Sequence, residues 1–513
     1  MKRILSLFLA IVTLSLCFFA SSCRDESQEQ TPDDASITIG TDYVITIPQK
    51  ANDGEEAAAA KLKTALSEFC GLSLVVSDDY FTDPNAIPTR EIVIGRCRRP
   101  DTAEAKSKAS DLGYTVLVKG ERIYFYASDD VMLDHAVSYF IETYVTGKST
   151  VSLKKDLELT YNHEFSQPEL KINGVDISQY KIVYGDDVYL KTPRHNGKWV
   201  ESGRLKDAAV ALQEEIYLLT KKKLTVEKSS SKNETDYEII VGWAGTRAVC
   251  NDYFRNNTMD LESYAFGTIG TKVLFAGGSS NASYYAGVAF ANACKNMDGN
   301  DFTAAMKKGK ADLIKVACIG DSITDGAGQM DDGSSNDHNV HSYPVYLQKL
   351  LGFKYLVANY GHGGQRMMSY TNESPNFLPS VNYKPDVVIM MFGTNDANKG
   401  KYTPDWGTDA AKTRYMAAAS YMLEQYKKAN ENVQLIIMTP PSIIRNATHR
   451  TNALLAAQYN REFAQANGLS LVDMWVASEK ANWTFNDGIH PQGEIYSEMA
   501  DVVYAGIKDV IVK

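Results

Sequence analysis

From residue 313 to the C-terminus, short apolar runs alternate with longer amphipathic segments, and this pattern admits few folds. The runs are 313–319, 355–358, 387–392, 433–438 and 469–472. A strand with one face in water alternates apolar and polar residues. Runs without that alternation are buried on both faces, as in a parallel sheet covered by helices. Helical segments at 343–351, 410–429, 452–466 and 494–508 lie between and after them, and Gly352 and Gly468 stand where C′ glycines stand. This order predicts an α/β domain over 313–513, a three-layer doubly wound parallel sheet. Ligand sites in such sheets collect beyond the carboxyl ends of the strands.

Three motifs fall at those ends. Gly320-Asp321-Ser322 closes the first run, Asn359-Tyr360-Gly361 the second and Gly393-Thr394-Asn395-Asp396 the third, while Asp487-Gly488-Ile489-His490 precedes the last helix. Together they hold what serine acyl transfer needs: a hydroxyl nucleophile, a base, a carboxylate and donors for an oxyanion. Asp487 lies three residues before His490, so a short turn can bring its carboxylate to one imidazole nitrogen.

These four blocks, in this order, resemble the SGNH (GDSL) hydrolase family over about residues 313–513. Within it, the stretch Ile319 through Gly328, Asn359-Tyr360-Gly361 and Thr439-Pro440-Pro441 resemble carbohydrate O-acetylesterases, including sialate O-acetylesterase-like proteins. The resemblance implies Ser322 as nucleophile, His490 as base and Asp487 as its partner. The implied oxyanion donors are the N–H groups of Ser322 and Gly361 and the amide of Asn395. No cofactor and no metal are implied. Sialate members read Ser-Gly-Arg after the block-two glycine. Here Gly363-Gly364-Gln365 stands there with Arg366 one place late, which puts in doubt an arginine for a sugar carboxylate.

Several neighbours have two readings. Asp321, Asp325 and Asp396 are expected to organise loops rather than react. His362 either meets substrate or faces solvent. His338 and His341 fall in or beside a polar insertion, 329–339, expected to rim the cleft. Tyr360, Trp406, Trp475 and Trp483 either stack on sugar rings or pack in the core.

Residues before 306 carry a weak internal repeat. The first copy runs helix 55–70, strands 72–76, 91–95, 114–118 and 122–126, and helix 131–144. The second runs helix 205–220, strands 223–226, 238–242, 264–268 and 272–276, and helix 283–294. Gly95 and Gly242 are 147 residues apart and Phe125 and Phe275 are 150 apart, an offset steady enough to argue duplication. The order resembles the non-catalytic N-terminal α+β domain of α-glucuronidases. Two accessory repeats are expected, 37–162 and 168–305, serving as spacers or carbohydrate-associated modules.

The N-terminus reads as a targeting signal. Lys2 and Arg3 precede an apolar stretch, 4–20, and Ser21-Ser22-Cys23 resembles a bacterial lipobox, although Ala20 stands where leucine is usual. Lipidation at Cys23 is expected, with 1–23 as signal and 24–36 as a polar tether. This implies a lipid-anchored envelope protein of the outer membrane, on its periplasmic face or the cell surface. Without Lys2 and Arg3 the 53 basic residues become 51 against 63 acidic ones, a formal charge of −12, which suggests neither nucleic acid nor an anionic membrane as partner. Beyond the anchor, the expected partner is an acetylated glycan. Disulfides Cys70–Cys97 and Cys250–Cys294 are permitted by an oxidising compartment, and Cys318 reads as a core residue. The leading expectation is an exported serine esterase removing small acyl groups, most simply acetyl, from carbohydrate. A lipid esterase or thioesterase, or a glycan-binding protein with a vestigial site, are the rivals.

Overall fold

The computed structural model describes residues 36–81, 86–110, 112–185, 204–328, 341–443, 445–485, 487–493 and 495–511. The signal with Cys23, the tether up to residue 35 and the insertion 329–339 with His338 lie outside them. The chain divides after Phe165 into two compact units.

Besides an antiparallel pair formed by Ser36–Thr38 and Ser152–Lys154, the strands in the unit before Ser166 are β1 (Val44–Ile47), β2 (Val75–Asp78), β3 (Glu91–Ile94), β4 (Gly113–Lys119), β5 (Arg122–Ala127) and β6 (Glu158–Asn162). They form one sheet in the order β2-β1-β3-β5-β4-β6, with α1 (Asp53–Cys70) and α2 (Asp130–Phe140) packed together. In the second unit, after the short strands Lys171–Ile172 and Val175–Asp176, the chain includes β7 (Lys181–Tyr184), α3 (Leu205–Thr220), β8 (Val226–Lys228), β9 (Glu238–Val241), β10 (Ser263–Ile269), β11 (Lys272–Gly277), α4 (Ser280–Lys295) and β12 (Lys307–Lys310). Strands β7 to β12 form one sheet in the order β8-β7-β9-β11-β10-β12, with the same parallel and antiparallel pairings as the first sheet. The short strands β1, β6, β7 and β12 are absent from the pattern read in the sequence, and β2 and β8 start three residues later than expected. Runs of three to five residues carry too little periodicity to stand out.

Both sheets bury an ion pair at the same place. Glu91, the first residue of β3, is fully buried and accepts from Arg99 Nη2 at 2.7 Å and Arg122 Nε at 2.6 Å. Glu238, the first residue of β9, accepts from Arg247 Nε at 2.9 Å and Lys272 Nζ at 3.3 Å. No described cysteine is in a disulfide. Cys250 and Cys294 belong to separate cores, one holding Ile240 and Leu274 of the sheet and the other Ile239 and Val273, so the sheet lies between the two thiols. Cys97 sits in a core with Val93 and Tyr124, whereas Cys70 ends α1 and donates to the Lys148 carbonyl.

The segment 306–312 carries β12, the edge strand of the second sheet, and that sheet shares one compact unit with the residues that follow. The Phe353 ring stacks on Tyr284 with centroids 4.1 Å apart, and the Arg204 guanidinium lies 4.1 Å from its centre. Arg204 also donates to the Gln348 carbonyl, and Asn281 Nδ2 donates to the carbonyls of Phe353 and Tyr355.

The C-terminal sheet comprises β13 (Ile314–Gly320), β14 (Tyr355–Gly361), β15 (Val387–Met391), β16 (Gln434–Met438) and β17 (Ser470–Val472), all parallel in the order β14-β13-β15-β16-β17. Alternate residues of β13 enter different cores: Ala317 and Ile319 on one face, Val316 and Cys318 on the other. Helices α5 (Ser322–Asp325), α6 (Tyr343–Leu351), α7 (Asp409–Ala429), α8 (Ala447–Ala466), α9 (Met474–Ala481) and α10 (Ile495–Ile511) accompany it. One core takes residues of α7 and α8 and the other residues of α6 and α10, giving the three layers.

Replacing Arg99 by Met leaves the Glu91 carboxylate buried with a single cation, and should cost about 3 kcal/mol or more in a urea titration. The double variant Glu91→Gln/Arg99→Met should recover most of that loss.

Candidate active site

Ser322 is the first residue of α5, directly after β13. Asp321 caps the helix, its Oδ1 accepting the Ile323 N–H at 2.9 Å. As the first helical residue, Ser322 keeps its own N–H free of intrahelical bonding. From the other end of the domain, an isolated bridge pairs Phe485 with Pro491 and closes the loop that carries Asp487 and His490. Asp487 Oδ1 accepts the N–H groups of Ile489 and His490 at 2.9 and 2.8 Å. Its Oδ2 lies 2.7 Å from His490 Nδ1, and His490 Nε2 lies 2.9 Å from Ser322 Oγ. Burial pushes the Asp487 carboxyl up, but the N–H groups of His490 and Ile489 and the imidazole outweigh it and hold it below its usual range. An ionised Asp487 places the imidazole proton on Nδ1 and leaves Nε2 to accept from the serine hydroxyl. The structure thus joins three residues, 168 positions apart at the extremes, in one hydrogen-bonded line.

One of the three expected oxyanion donors is already paired. The Gly361 N–H is committed to Asn359 Oδ1 at 2.9 Å. A Cβ at 361 would meet the Asp325 backbone nitrogen at 2.3 Å, so glycine is needed there for packing against α5. A second glycine, Gly364, lies three residues on. Gln365 N–H closes a turn onto the His362 carbonyl at 3.3 Å, and Gly364 sits third in that turn with φ +76°, a position that favours glycine. Among the described residues the Gly364 N–H makes no hydrogen bond. Asn395 Nδ2 rests on the next carbonyl, that of Gln365, at 3.0 Å, with its second hydrogen left over. Asn359, the first residue of its motif, acts as a brace, its Nδ2 donating to the Thr324 carbonyl at 2.8 Å.

Two residues that carry no motif support this region. His449 is buried on α8 and its Nε2 lies 2.9 Å from the Thr394 carbonyl, next to Asn395. Burial pushes the His449 pKa down, so the neutral ring donates from Nε2. Tyr402 places its hydroxyl 3.7 Å from where a Gly364 Cβ would stand. Arg366 does not face a substrate carboxylate; its Nη1 donates to the Tyr402 carbonyl at 3.0 Å and its Nη2 to Glu373 at 2.9 Å. Tyr360, Trp406, Trp475 and Trp483 are all buried in the core. His341 bonds the Tyr346 hydroxyl at 2.7 Å, and the His362 N–H donates to the Gly320 carbonyl.

Two buried carboxyl groups flank the nucleophile. Burial pushes Asp321 up to about 7 against the Ile323 N–H, with the Asp396 and Asp325 charges adding to the rise. Burial pushes Asp396 up to about 6 against the N–H groups of Met367 and Met368. Between the ordinary carboxyl pKa, about 4, and these values the folded chain binds more protons than the unfolded one. Both groups therefore make stability fall as pH rises through that window. Asp321→Asn keeps the cap acceptor and removes one buried charge, so its gain in Tm over the parent should be larger at pH 8 than at pH 5.

Residues 318–497 match the GDSL-like Lipase/Acylhydrolase family. An acetylxylan esterase of Xylanibacter ruminicola is 31% identical over 220 residues, 39% of this chain and 44% of that protein, so the chain spans less than half of its relative's length. Among solved structures, an acetylxylan esterase from Geobacillus stearothermophilus aligns at 22% identity with a TM-score of 0.31, covering 38% of this chain and 95% of that one. A lipase/acylhydrolase from Enterococcus faecalis aligns at 21% identity with a TM-score of 0.30, covering 38% and 96%. Residues 318–497 are accordingly a GDSL/SGNH hydrolase domain with an acetylxylan esterase homologue.

Proposed function

We propose that the protein is a serine esterase that removes acetyl groups from carbohydrate. The observation that carries this reading is the line Asp487–His490–Ser322, with contacts of 2.7 and 2.9 Å. Ser322 Oγ attacks the ester carbonyl while His490 Nε2 takes its proton. The tetrahedral oxyanion is held by the N–H groups of Ser322 and Gly364 and the Asn395 amide. His490 then protonates the departing sugar oxygen, leaving acetyl-Ser322. Water, deprotonated by His490, attacks this second ester, and acetate leaves as Ser322 regains its proton. Asp487 stays ionised throughout and stabilises the imidazolium.

Two features support a neutral acetylated sugar over a sialic acid. The relative named above is an acetylxylan esterase. Arg366, the one arginine of the block-two loop, is spent on Tyr402 and Glu373. The matched strand orders and buried Glu–Arg pairs of the two N-terminal sheets support their reading as copies of one accessory unit, used here as spacers. Export with lipidation at Cys23 completes the proposal and rests on the N-terminal sequence; palmitate labelling abolished by Cys23→Ala is the expected result.

Ser322→Ala should abolish release of p-nitrophenol from its acetate ester; unchanged release sinks the mechanism. Because the base must be neutral to take the serine proton, activity should be lost as the pH is lowered. A flat profile from pH 5 to 8 counts against His490. Asn395→Ala should lower kcat by about 10²–10³ with little change in KM. On acetylated xylan, mannan, pectin and sialoglycans, acetate release should be greatest from xylan. Preference for an octanoate over an acetate ester would favour the lipid-esterase reading.

A further inference from the structure

Asp396 takes no part in the hydroxyl–imidazole–carboxylate line, yet it is fully buried immediately after Asn395. Its oxygens reach the loop that leaves β14: Oδ2 accepts the Met367 N–H at 2.9 Å and Oδ1 the Met368 N–H at 3.4 Å. Asn395 grips the same loop from the preceding side, through the Gln365 carbonyl. Two consecutive residues at one strand end therefore hold three successive peptide units, 365–366, 366–367 and 367–368. That grip begins one residue past Gly364. A buried carboxylate is tolerated only where such donors replace its water, so its retention here is matched to this loop.

We propose that Asp396 is the positioning residue of the oxyanion site. By fixing the Met367 and Met368 peptides it sets where the Gly364 N–H stands relative to the Asn395 amide. Donors aimed at a developing oxyanion act only at the right separation, and a displacement of about 1 Å can cost about 10²-fold in rate. The inference rests on the esterase reading above. It goes beyond loop organisation in the general sense, because it ties Asp396 to one step, stabilisation of the tetrahedral intermediate.

The test uses the full chain and p-nitrophenyl acetate. Asp396→Asn has the same size, but its amide nitrogen meets one of the two N–H groups donor to donor, releasing the loop without opening a cavity. The expected result is a kcat about 10–100-fold lower with KM within about threefold, the far-ultraviolet spectrum unchanged. A general loss of structure would instead reduce the active fraction; titration of Ser322 with a fluorophosphonate counts that fraction. The double variant Asp396→Asn/Asn395→Ala should be scarcely slower than Asn395→Ala alone, because both changes disable one device. Should Asp396→Asn fail to fold, Asp396→Ser, which retains a single acceptor, is read in the same way. A wild-type kcat, an effect confined to KM, or losses that multiply in the double variant would each overturn the proposal. Failure of the esterase reading is seen separately, as equal activity of the parent and Ser322→Ala.

Discussion

The register of three parallel strands is the constraint on which the site depends. β13 bonds to β14 on one side and β15 on the other, with Gly320 opposite both Gly361 and Met391. The nucleophile turn, the glycine loop and the strand end bearing Asn395 therefore leave the sheet at one height. A one-residue slip would exchange Val316 and Cys318 with Ala317 and Ile319 between two cores of different composition. The burial that makes these strands apolar is thus also what aligns the chemistry at their ends.

Around that edge the backbone, more than the side chains, is organised. Asp321 holds α5, Asn359 holds Gly361 and Thr324, Asp396 holds Met367 and Met368, and His449 holds Thr394. Each is a polar group taken from water and matched to peptide groups, so each stabilises one geometry and penalises others. Burying Asp321 and Asp396 opposes folding near neutral pH, and the two-faced core offsets that cost. The sheet that ends at β12 contributes as well. Through Phe353, Arg204 and Asn281 it secures the turn that feeds β14, the strand whose end becomes the glycine loop.

Much of this was legible in the residue order. The five apolar runs and their helices lie where two-faced burial predicts, because an unbroken apolar run of strand length is stable in few environments besides a covered sheet. The four motifs stand at strand ends or before the last helix for the same reason. That the Gly361 N–H is already paired was not legible, because Gly361 and Gly364 share one short glycine-rich stretch. Only the bond from Gly361 to Asn359 and the left-handed φ of Gly364 separate their roles. The signal available in sequence was Gly363-Gly364 itself, a pair suited to a turn. His449 carried no signal, since its partner Thr394 lies 55 residues away. Whether the permitted disulfides form was not legible either, because spacing says nothing about which face of a sheet a cysteine occupies.

By itself, the sequence determined the class of the C-terminal sheet, the edge at which its chemistry collects, and the residues Ser322, Asp487, His490 and Asn395 as candidates for that chemistry. Local pattern suffices there, since strand burial and motif position are properties of neighbouring residues. Tertiary structure alone decided that Arg366 is occupied by Tyr402 and Glu373 and that Asp396 grips the glycine loop. These are contacts between segments 7 to 36 residues apart, made possible only when three strands stand side by side.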